Sequence, residues 1–269
     1  MKLAFSTLGC PGWSFDEIFV TARDLGIQGI EIRGIADTVY APRCPEFSDE
    51  NIEKTLSVLK RSGMEIPVLD TASVLGVPQR AEDSMREAKD YIVLASRLGT
   101  KYVRVMPSPY AEPSDCDVRL CRSLYTELCE FALDYGVVPL METNGVFAES
   151  SVLAKFLDSI PLENKGALWD VHHPYRFFRE VPFITVGTLG DRIKHTHLKD
   201  SVMVNGKVSY RMMGYGDVPL KSVLKELSRI GYKGYMSLEW LKRWNPELQE
   251  PGIVFAHFVS YMDYLASQI

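Results

Sequence analysis

The chain has 269 residues, a formal net charge of −5 at pH 7 and a pI near 5.6. This acidic balance argues against a dedicated nucleic-acid binder, because such proteins usually carry a basic stripe. No apolar run approaches the ~20 residues of a membrane-spanning helix, and the first residues show no signal-peptide pattern. The five cysteines include no C-x-x-C pair, which favours a reduced compartment. We therefore predict a cytoplasmic protein without a membrane or nucleic-acid partner.

Extended apolar segments alternate with helical ones along the whole chain. The extended segments are rich in β-branched and aromatic residues, and several are continuously apolar, which is typical of parallel strands covered on both faces. The predicted strands are Lys2–Thr7, Gly29–Arg33, Glu65–Asp70, Tyr102–Met106, Val137–Glu142, Ala167–Asp170, Ile193–Leu198 and Gly234–Glu239. Such a regular alternation with helices predicts a parallel sheet.

The helices between these strands have readable ends. Ser14 and Glu17 stand at the spacing of a capping box, which predicts the start of the first helix. Glycine recurs directly after a helix, where its left-handed conformation satisfies the last carbonyls. The predicted helices run from Ser14 to about Gly26, then over Ser48–Ser62, Asp83–Leu98, Ser114–Tyr135, Ser150–Ser159, Pro182–Leu189, Leu220–Ile230 and Val254–Ser267.

The number of repeats decides between two arrangements of the sheet. Eight βα repeats without a composition break, a Gly/Ser linker or a G-x-G-x-x-G motif favour a closed barrel. A doubly wound open sheet is the alternative. We therefore predict an α/β protein with a single (β/α)8 TIM barrel domain over residues 1–269, a length at which such barrels form one domain.

Polar residues stand at the C-terminal ends of the predicted strands, where barrels carry their functional groups. The fifth to eighth strands end in Glu142, Asp170, His197 and Glu239. Strand ends converge in a closed barrel, and carboxylates a few Å apart cannot all stay ionised without a cation. Any one of these residues alone would be read as a helix cap, an ion-pair partner or a core residue. Together they predict one divalent metal, with Mn²⁺ preferred and Mg²⁺, Co²⁺ or Zn²⁺ possible.

The sequence resembles the xylose isomerase-like superfamily of metal-dependent barrels, specifically its sugar phosphate isomerase/epimerase group. The resemblance depends on a combination of motifs that is more specific than any one of them. They are D-x-x-H, H-x-H-x-K-D, a later G-x-G-D and S-L-E. The segments that carry the resemblance are Phe5–Pro11, Met141–Asn144, Asp170–His173, His195–Asp200, Met213–Asp217 and Ser237–Trp240. The resemblance implies that Glu142, Asp170, His197 and Glu239 bind the metal and that His173 contacts the substrate.

The expected chemistry belongs to carbohydrate metabolism. Moving a carbonyl, or inverting the carbon beside it, requires removal of a proton next to C=O, and a divalent ion stabilises the resulting enediolate. Glu142 and Glu239 come from opposite ends of the four-strand arc, so we predict that they take and return this proton. The predicted activity is that of a sugar, sugar phosphate or inosose isomerase or epimerase.

Further side chains are predicted to bind the substrate. Lys199 lies beyond the strand-seven ligand on the same face, where it can reach a hydroxyl or phosphate, although a solvated loop lysine is equally compatible with the sequence. Arg104 is expected to pair with a carboxylate such as Glu142 or Glu31, and a purely structural ion pair is the default interpretation. Trp13 is a candidate wall of the pocket.

Three other functions compete with this prediction. A lyase of the inosose dehydratase kind would use the same metal and the same first proton transfer, and the sequence does not separate the two. An endonuclease of the related DNA-repair barrels needs a trinuclear zinc site with more histidines than the five present. A catalytically inactive barrel with a binding role is disfavoured by the intact ligand set. The expected partner is a small sugar or polyol-derived molecule, and a homo-oligomer is possible.

Overall fold

A computed structural model describes the whole chain, Met1–Ile269. Its strands are β1 (Lys2–Ser6), β2 (Gly29–Glu31), β3 (Val68–Val74), β4 (Tyr102–Met106), β5 (Val138–Glu142), β6 (Gly166–Asp170), β7 (Ile193–Leu198), β8 (Asp200–Val204), β9 (Lys207–Arg211) and β10 (Tyr235–Leu238). Its α-helices are α1 (Phe15–Asp24), α2 (Ile52–Ser62), α3 (Ala81–Leu98), α4 (Val118–Leu133), α5 (Ser150–Asp158), α6 (His172–Phe178), α7 (Pro182–Leu189), α8 (Leu220–Arg229) and α9 (Pro251–Ala266). None of these helices combines the length and the apolar character needed to cross a bilayer.

Eight strands form one sheet in the order β2-β1-β10-β7-β6-β5-β4-β3. Each strand therefore lies beside its neighbour in the βα series. At the ends of this order, the Ile30 N–H donates to the Glu65 carbonyl and the Glu65 N–H donates to the Gln28 carbonyl, both at 3.0 Å. The segment that leads into β3 thus pairs with β2. This is the strand order of a (β/α)8 barrel, and the predicted fold class is confirmed.

The chain divides into two compact units, Met1–Glu65 with Thr196–Ile269 and Ile66–His195. That both belong to one domain stays a prediction. In the first unit, β1 pairs in parallel with β10 and with β2. Its core includes Phe5 of β1, which stacks on Phe255 of α9 with ring centroids 4.1 Å apart. A Cβ at Gly9 would meet the Phe255 ring at 2.9 Å, so this close packing requires glycine.

The capping box predicted for α1 is present. Ser14 Oγ accepts a hydrogen bond from the Glu17 N–H at 3.3 Å, and the Glu17 carboxylate accepts one from the Ser14 N–H at 2.8 Å. These reciprocal bonds satisfy two backbone donors that the first turn leaves without intrahelical partners. The pKa of Glu17 is lowered by the hydrogen bonds from the backbone and side chain of Ser14.

The second unit holds β3, β4, β5 and β6 in parallel register. Its helices pack on the sheet through buried side chains such as Tyr125 of α4, whose hydroxyl donates to the Pro139 carbonyl of β5 at 2.7 Å. Buried polar groups need such partners, because an unsatisfied hydroxyl in an apolar interior is costly. The hydrogen bond therefore fixes α4 against β5.

The predicted end of the third strand at Asp70 is wrong, because β3 continues to Val74. Its register with β4 shifts between Asp70 and Val74, and the Thr71 hydroxyl donates to the Arg104 carbonyl at 2.8 Å within this irregular stretch. This side-chain hydrogen bond holds the bulged chain beside β4. Because it depends on a partner 33 residues away, no local sequence pattern indicates it.

One helix and one two-stranded hairpin of the structure were absent from the predicted series. The helix α6 begins at His172, directly after β6, within the D-x-x-H motif. The strands β8 and β9 form an antiparallel hairpin, whose turn residues Asn205 and Gly206 have positive φ values of 50° and 76°. Asn-Gly is a strong hairpin signal because both positions tolerate the left-handed region. The hairpin could therefore have been predicted.

Several helix boundaries also differ from the predicted ones. A 3-10 turn over Pro45–Phe47 precedes α2, so that helix begins at Ile52. The helix α4 begins at Val118 because Asp117 caps it, accepting the N–H groups of the next turn at 3.0 Å.

Candidate metal and substrate site

The four predicted metal ligands all lie at C-terminal strand ends. Glu142 and Asp170 are the last residues of β5 and β6, His197 is the penultimate residue of β7, and Glu239 directly follows β10. All four side chains are buried. Burying a carboxylate is costly unless it is paired, so the partners of each ligand decide what the site can do. Glu142 and Asp170 belong to the second unit, and His197 and Glu239 belong to the first.

In the first unit, His197 stands between two carboxylates. Its Nε2 lies 3.1 Å from Glu31 Oε1, and its Nδ1 lies 3.5 Å from Glu239 Oε1. The other oxygen of Glu239 accepts a hydrogen bond from the Lys199 ammonium. We call Glu31, His197, Lys199 and Glu239 the Glu239 cluster. Glu31 was not among the predicted site residues, although it ends β2 at the same edge as the others.

The environment of Lys199 excludes one of its two interpretations. The residue is only 3% exposed, so it is not a solvated loop lysine. Its ammonium binds Glu239, and the other oxygen of this glutamate faces His197. Its predicted contact with the substrate stays a prediction.

In the second unit, a guanidinium joins two carboxylates. Arg104 Nε lies 3.2 Å from Asp70 Oδ1, and Arg104 Nη1 lies 3.1 Å from Glu142 Oε2. The expected ion pair between Arg104 and Glu142 is therefore confirmed, and Asp70 is a second partner that the sequence did not indicate. Whether Arg104 also contacts the substrate stays a prediction.

His173 connects two of the predicted ligands within the same unit. Its Nδ1 lies 3.0 Å from the Thr143 carbonyl, which identifies Nδ1 as the protonated nitrogen, and 3.7 Å from Glu142 Oε1. Its Nε2 lies 3.5 Å from Asp170 Oδ2. We call Asp70, Arg104, Glu142, Asp170 and His173 the Glu142 cluster.

The first turn of α6 also places His173 near two other possible metal ligands. Asp170, His172 and His173 each offer a possible ligand atom, and these atoms lie within 4.8 Å of one another. The His172 N–H also donates to Asp170 Oδ1 at 2.9 Å. His173 is therefore also placed as a possible metal ligand, and its predicted contact with the substrate stays a prediction.

Asp200 accepts hydrogen bonds from the loop that follows β9. Its carboxylate accepts four backbone N–H groups at 2.8–3.2 Å, those of Ser201, Gly214, Gly216 and Val218. Burial nevertheless raises the pKa of Asp200, against the effect of these hydrogen bonds. Asp200 directly follows Lys199, so this network joins the H-x-H-x-K-D motif to the G-x-G-D motif and restrains Lys199. The sequence motifs contained both ends of this link.

Trp13 belongs to neither cluster. It is half-buried in the loop after β1, where its ring meets Phe255 edge-on at a centroid distance of 5.7 Å. Its carbonyl accepts the Ala36 N–H at 3.2 Å. The predicted role of Trp13 as a pocket wall stays a prediction.

The fold and the strand-end residues define a class, a (β/α)8 barrel with buried carboxylates and an imidazole at the C-terminal ends of its strands. A family model for the xylose isomerase-like TIM barrel matches residues 19–254. This range is most of the chain. The chain therefore belongs to the xylose isomerase-like TIM barrel family.

Individual relatives are distant but cover nearly the full chain. Fructoselysine 3-epimerase of Escherichia coli O157:H7 is 24% identical over an alignment of 257 positions that covers 89% of this chain and 90% of that protein. The crystal structure of IolI with a zinc atom has a TM-score of 0.81 at 17% identity, over 100% of this chain and 99% of that one.

Two further solved structures share the fold. A xylose isomerase-like TIM barrel protein from Mycobacterium smegmatis in complex with magnesium has a TM-score of 0.74 at 18% identity, over 99% of this chain and 97% of that one. The probable 3-DHS dehydratase AsbF from Bacillus anthracis has a TM-score of 0.80 at 17% identity, over 98% of this chain and 99% of that one. At these identities the likeness to solved structures shows the shared fold.

Proposed function

We propose that the chain is a divalent-metal-dependent epimerase or isomerase of ketoses or related polyol ketones. The observation that carries this proposal is the pair of buried glutamates at strand ends, Glu142 and Glu239, each held by a cationic side chain. The sequence similarity to a fructoselysine 3-epimerase supports an isomerase or epimerase. A sugar-sized molecule is therefore the proposed partner.

The proposed metal ligands are Glu142, Asp170, His197 and Glu239. Three carboxylates and one imidazole are a donor set that suits Mn²⁺, Mg²⁺, Co²⁺ and Zn²⁺. Zinc and magnesium are the ions named for two solved structures of the same fold, and both support a divalent site here. Mn²⁺, the ion preferred from the sequence, has no such support, so the ions must be compared directly.

The protein's own residues account for the proton chemistry. A bound divalent ion would polarise the substrate carbonyl as a Lewis acid. In the proposal, one of Glu142 and Glu239 accepts a proton from the carbon next to that carbonyl. Return of a proton to the opposite face by the other glutamate inverts the carbon. Return to the neighbouring carbon, with transfer of the hydroxyl proton to the former carbonyl oxygen, moves the carbonyl. His173 would hold a substrate oxygen during this transfer.

Each glutamate is oriented for this role by a different partner. Arg104 binds Glu142 Oε2 at 3.1 Å, and the other carboxylate oxygen faces His173. Lys199 binds Glu239 Oε2, and Oε1 faces His197. A general base must be held within hydrogen-bond reach of the proton that it removes. These contacts support the proposal that one oxygen of each carboxylate is anchored and the other serves the site.

A lyase is the second candidate. It would begin with the same proton removal and continue with loss of a β-hydroxyl group. The fold shared with a probable 3-DHS dehydratase favours this candidate over a binding protein. A lyase forms an unsaturated ketone with a characteristic ultraviolet absorbance, and an epimerase does not.

Metal removal and reconstitution test the proposal. Protein stripped with a chelator is reloaded with Mn²⁺, Mg²⁺, Co²⁺ or Zn²⁺ and incubated with ketoses, ketose phosphates, fructosyl-amino acids and inososes. We expect epimerised or isomerised products only after reloading, and their loss in Asp170→Asn and His197→Ala but not in the surface control Glu53→Gln, which is exposed on α2.

Binding of the metal should also raise the melting temperature. A ligand at a hundredfold excess over its Kd adds about 2.7 kcal/mol to the free energy of unfolding. Unchanged turnover and melting temperature after chelation would contradict the metal site. An enone product would replace the epimerase with the lyase, and metal binding without any turnover would favour an inactive barrel.

A further inference from the structure

Two arginines of the first unit take no part in the chemistry proposed above. Arg33 lies two residues after β2 and is 8% exposed. Arg243 lies in the loop after β10 and is half-buried. Neither guanidinium has a carboxylate within ion-pair distance. A buried cation without an anionic partner is unfavourable, so Arg33 in particular needs an explanation.

Backbone carbonyls hold both side chains in place. Arg33 Nη1 donates to the Val39 carbonyl at 3.0 Å. Arg243 Nη2 donates to the carbonyls of Ala36 at 2.7 Å and Pro11 at 3.2 Å. A guanidinium carries five N–H donors, and these backbone contacts use only some of them. The backbone of these loops thus orients both guanidinium groups and leaves further N–H donors for another acceptor.

The positive charge of Arg33 acts on Arg243. Burial, and next the positive charge of Arg33, lower the pKa of Arg243. The groups whose negative charge would raise the pKa of Arg243 are the Cys10 thiol, then Asp37, which is exposed, and the Cys44 thiol. Burial raises the pKa of Cys44 to about 11 and that of Cys10 further, so both thiols are neutral at pH 7. The pair is therefore a net positive site.

The turn that anchors Arg243 is strained. Ala36 has a φ of 47° although it is not glycine, and Ile35 and Thr38 close the turn with hydrogen bonds of 2.9 and 3.0 Å. Such conformations persist where the surroundings determine them, often at ligand-binding sites. The strained Ala36 supplies one of the carbonyls that hold Arg243.

Arg33 is also close to the proposed catalytic residues along the chain. It follows Glu31 of the Glu239 cluster by two residues, at a bend in the chain directly after β2. Its N–H donates to Thr7 Oγ1 at 2.9 Å, directly after β1. Arg33 thus lies one step beyond Glu31 at the C-terminal end of the strands, where barrels bind substrates.

We propose that Arg33 and Arg243 bind an anionic group of the substrate, a carboxylate or a phosphate, and that the substrate is an anionic sugar derivative. Guanidinium groups bind both anions with paired, charge-assisted hydrogen bonds. The substrate assignment rests on the proposed function. The anion site itself stands on the geometry of these two arginines.

Direct binding tests the site without any turnover. The full-length, metal-loaded protein is titrated with inorganic phosphate and separately with acetate, followed by calorimetry and by chemical shifts of arginine side chains. We expect at least one anion to bind, and the affinity to fall at least about tenfold in Arg33→Gln and in Arg243→Gln. Arg23→Gln, whose arginine is exposed on α1 and pairs with Asp24, should bind as the unaltered protein does.

Kinetics distinguish the two sources of the anion. Three ketoses are compared. Fructose has no anionic group, fructose 6-phosphate has a phosphate, and an N-fructosyl amino acid has a carboxylate. We expect kcat/KM to be highest for one of the anionic ketoses. Each glutamine variant should lose about 10- to 100-fold more activity on that substrate than on fructose. Arg33→Lys and Arg243→Lys, which keep the charge but not the fork, should lose less, and melting temperatures check that all variants fold.

The failures of the two proposals differ. If anion binding depends on the arginines but no ketone is turned over, the anion site is supported and the proposed epimerase function is rejected. Turnover of neutral and anionic ketoses with equal efficiency, affected equally by the arginine variants, would reject the anion site and leave the epimerase. No binding of either anion, or equal binding in the double glutamine variant, would also overturn the site.

Discussion

Glu142 and Glu239 hold equivalent positions at the ends of β5 and β10, and both are buried, yet their cationic partners are different. Arg104 binds Glu142 and also Asp70, at 3.1 and 3.2 Å. Lys199 binds Glu239 through its ammonium, and the other oxygen of this glutamate faces His197. A planar guanidinium can hold two carboxylates in fixed orientations, whereas an ammonium is a point charge on a flexible stem.

This difference suggests a structural role for Arg104 and a functional role for Lys199. Arg104 lies on β4 and its partners lie on β3 and β5, so it links three strands through buried charges. Lys199, which directly follows β7, binds Glu239 at the end of β10. We infer that Arg104 mainly stabilises the second unit and that Lys199 mainly serves the site. The following predictions test this contrast.

The largest effect is expected at the glutamates themselves. Glu142→Gln and Glu239→Gln should each lower turnover by about 10² to 10⁴, the usual contribution of a positioned acid or base. Turnover and metal content are measured together, with Glu53→Gln as the control. A variant that keeps turnover within about threefold of the unaltered protein would remove that glutamate from the proton-transfer pair.

Replacing Arg104 should mainly lower stability, whereas replacing Lys199 should mainly lower turnover. Arg104→Gln leaves Asp70 and Glu142 without their buried cation, and breaking a buried ion pair costs about 3–5 kcal/mol. Urea unfolding should show this loss. Lys199→Gln should affect stability less and turnover more. Equal losses of stability in the two variants would contradict the contrast.

His173 should affect substrate binding more than metal binding. His173→Ala is expected to raise KM or lower kcat by about tenfold, the order of one lost hydrogen bond to a polar group, with the metal still bound. Metal content by elemental analysis is the deciding measurement. Stoichiometric loss of metal would instead make His173 a ligand, together with Asp170 and His172.

The smallest effect is expected at the cap of α1, which is outside both clusters. Ser14→Ala should lower the free energy of unfolding by about 1 kcal/mol, and Ser14→Gly by only a few tenths. Turnover should not change. Because the folded-state pKa of Glu17 is lowered, its contribution to stability is present at neutral pH and is lost as the pH falls and Glu17 becomes protonated. A pH-independent difference between the unaltered protein and Glu17→Gln would contradict this.

The sequence predicted the barrel well where the signals were local. The bounds of β4 and β7 and of α7 agree with the prediction residue for residue, and the other strands except β3 differ by two residues at most. The β3 bulge depends on a hydrogen bond from Thr71 to the distant Arg104 carbonyl, so no short-range pattern reveals it. The hairpin of β8 and β9 had a local signal in Asn205–Gly206.

The candidate site was predictable in its residues but not in its pairings. Strand ends indicated Glu142, Asp170, His197 and Glu239, because parallel strands carry functional groups at one edge. Which cation meets which carboxylate depends on side-chain packing across strands, as with Arg104 and Asp70. The four hydrogen bonds to Asp200 depend in the same way on how the loop after β9 returns to β8.

The central claim is that buried glutamates transfer a proton at the carbon beside a carbonyl. The most direct test is turnover of an accepted ketone in D₂O by the metal-loaded protein, followed by proton NMR. We expect deuterium at the carbon next to the carbonyl in the product, because a carboxylate exchanges its proton with solvent between removal and return. Rapid conversion with complete retention of protium at that carbon would contradict the account and would favour direct hydride migration.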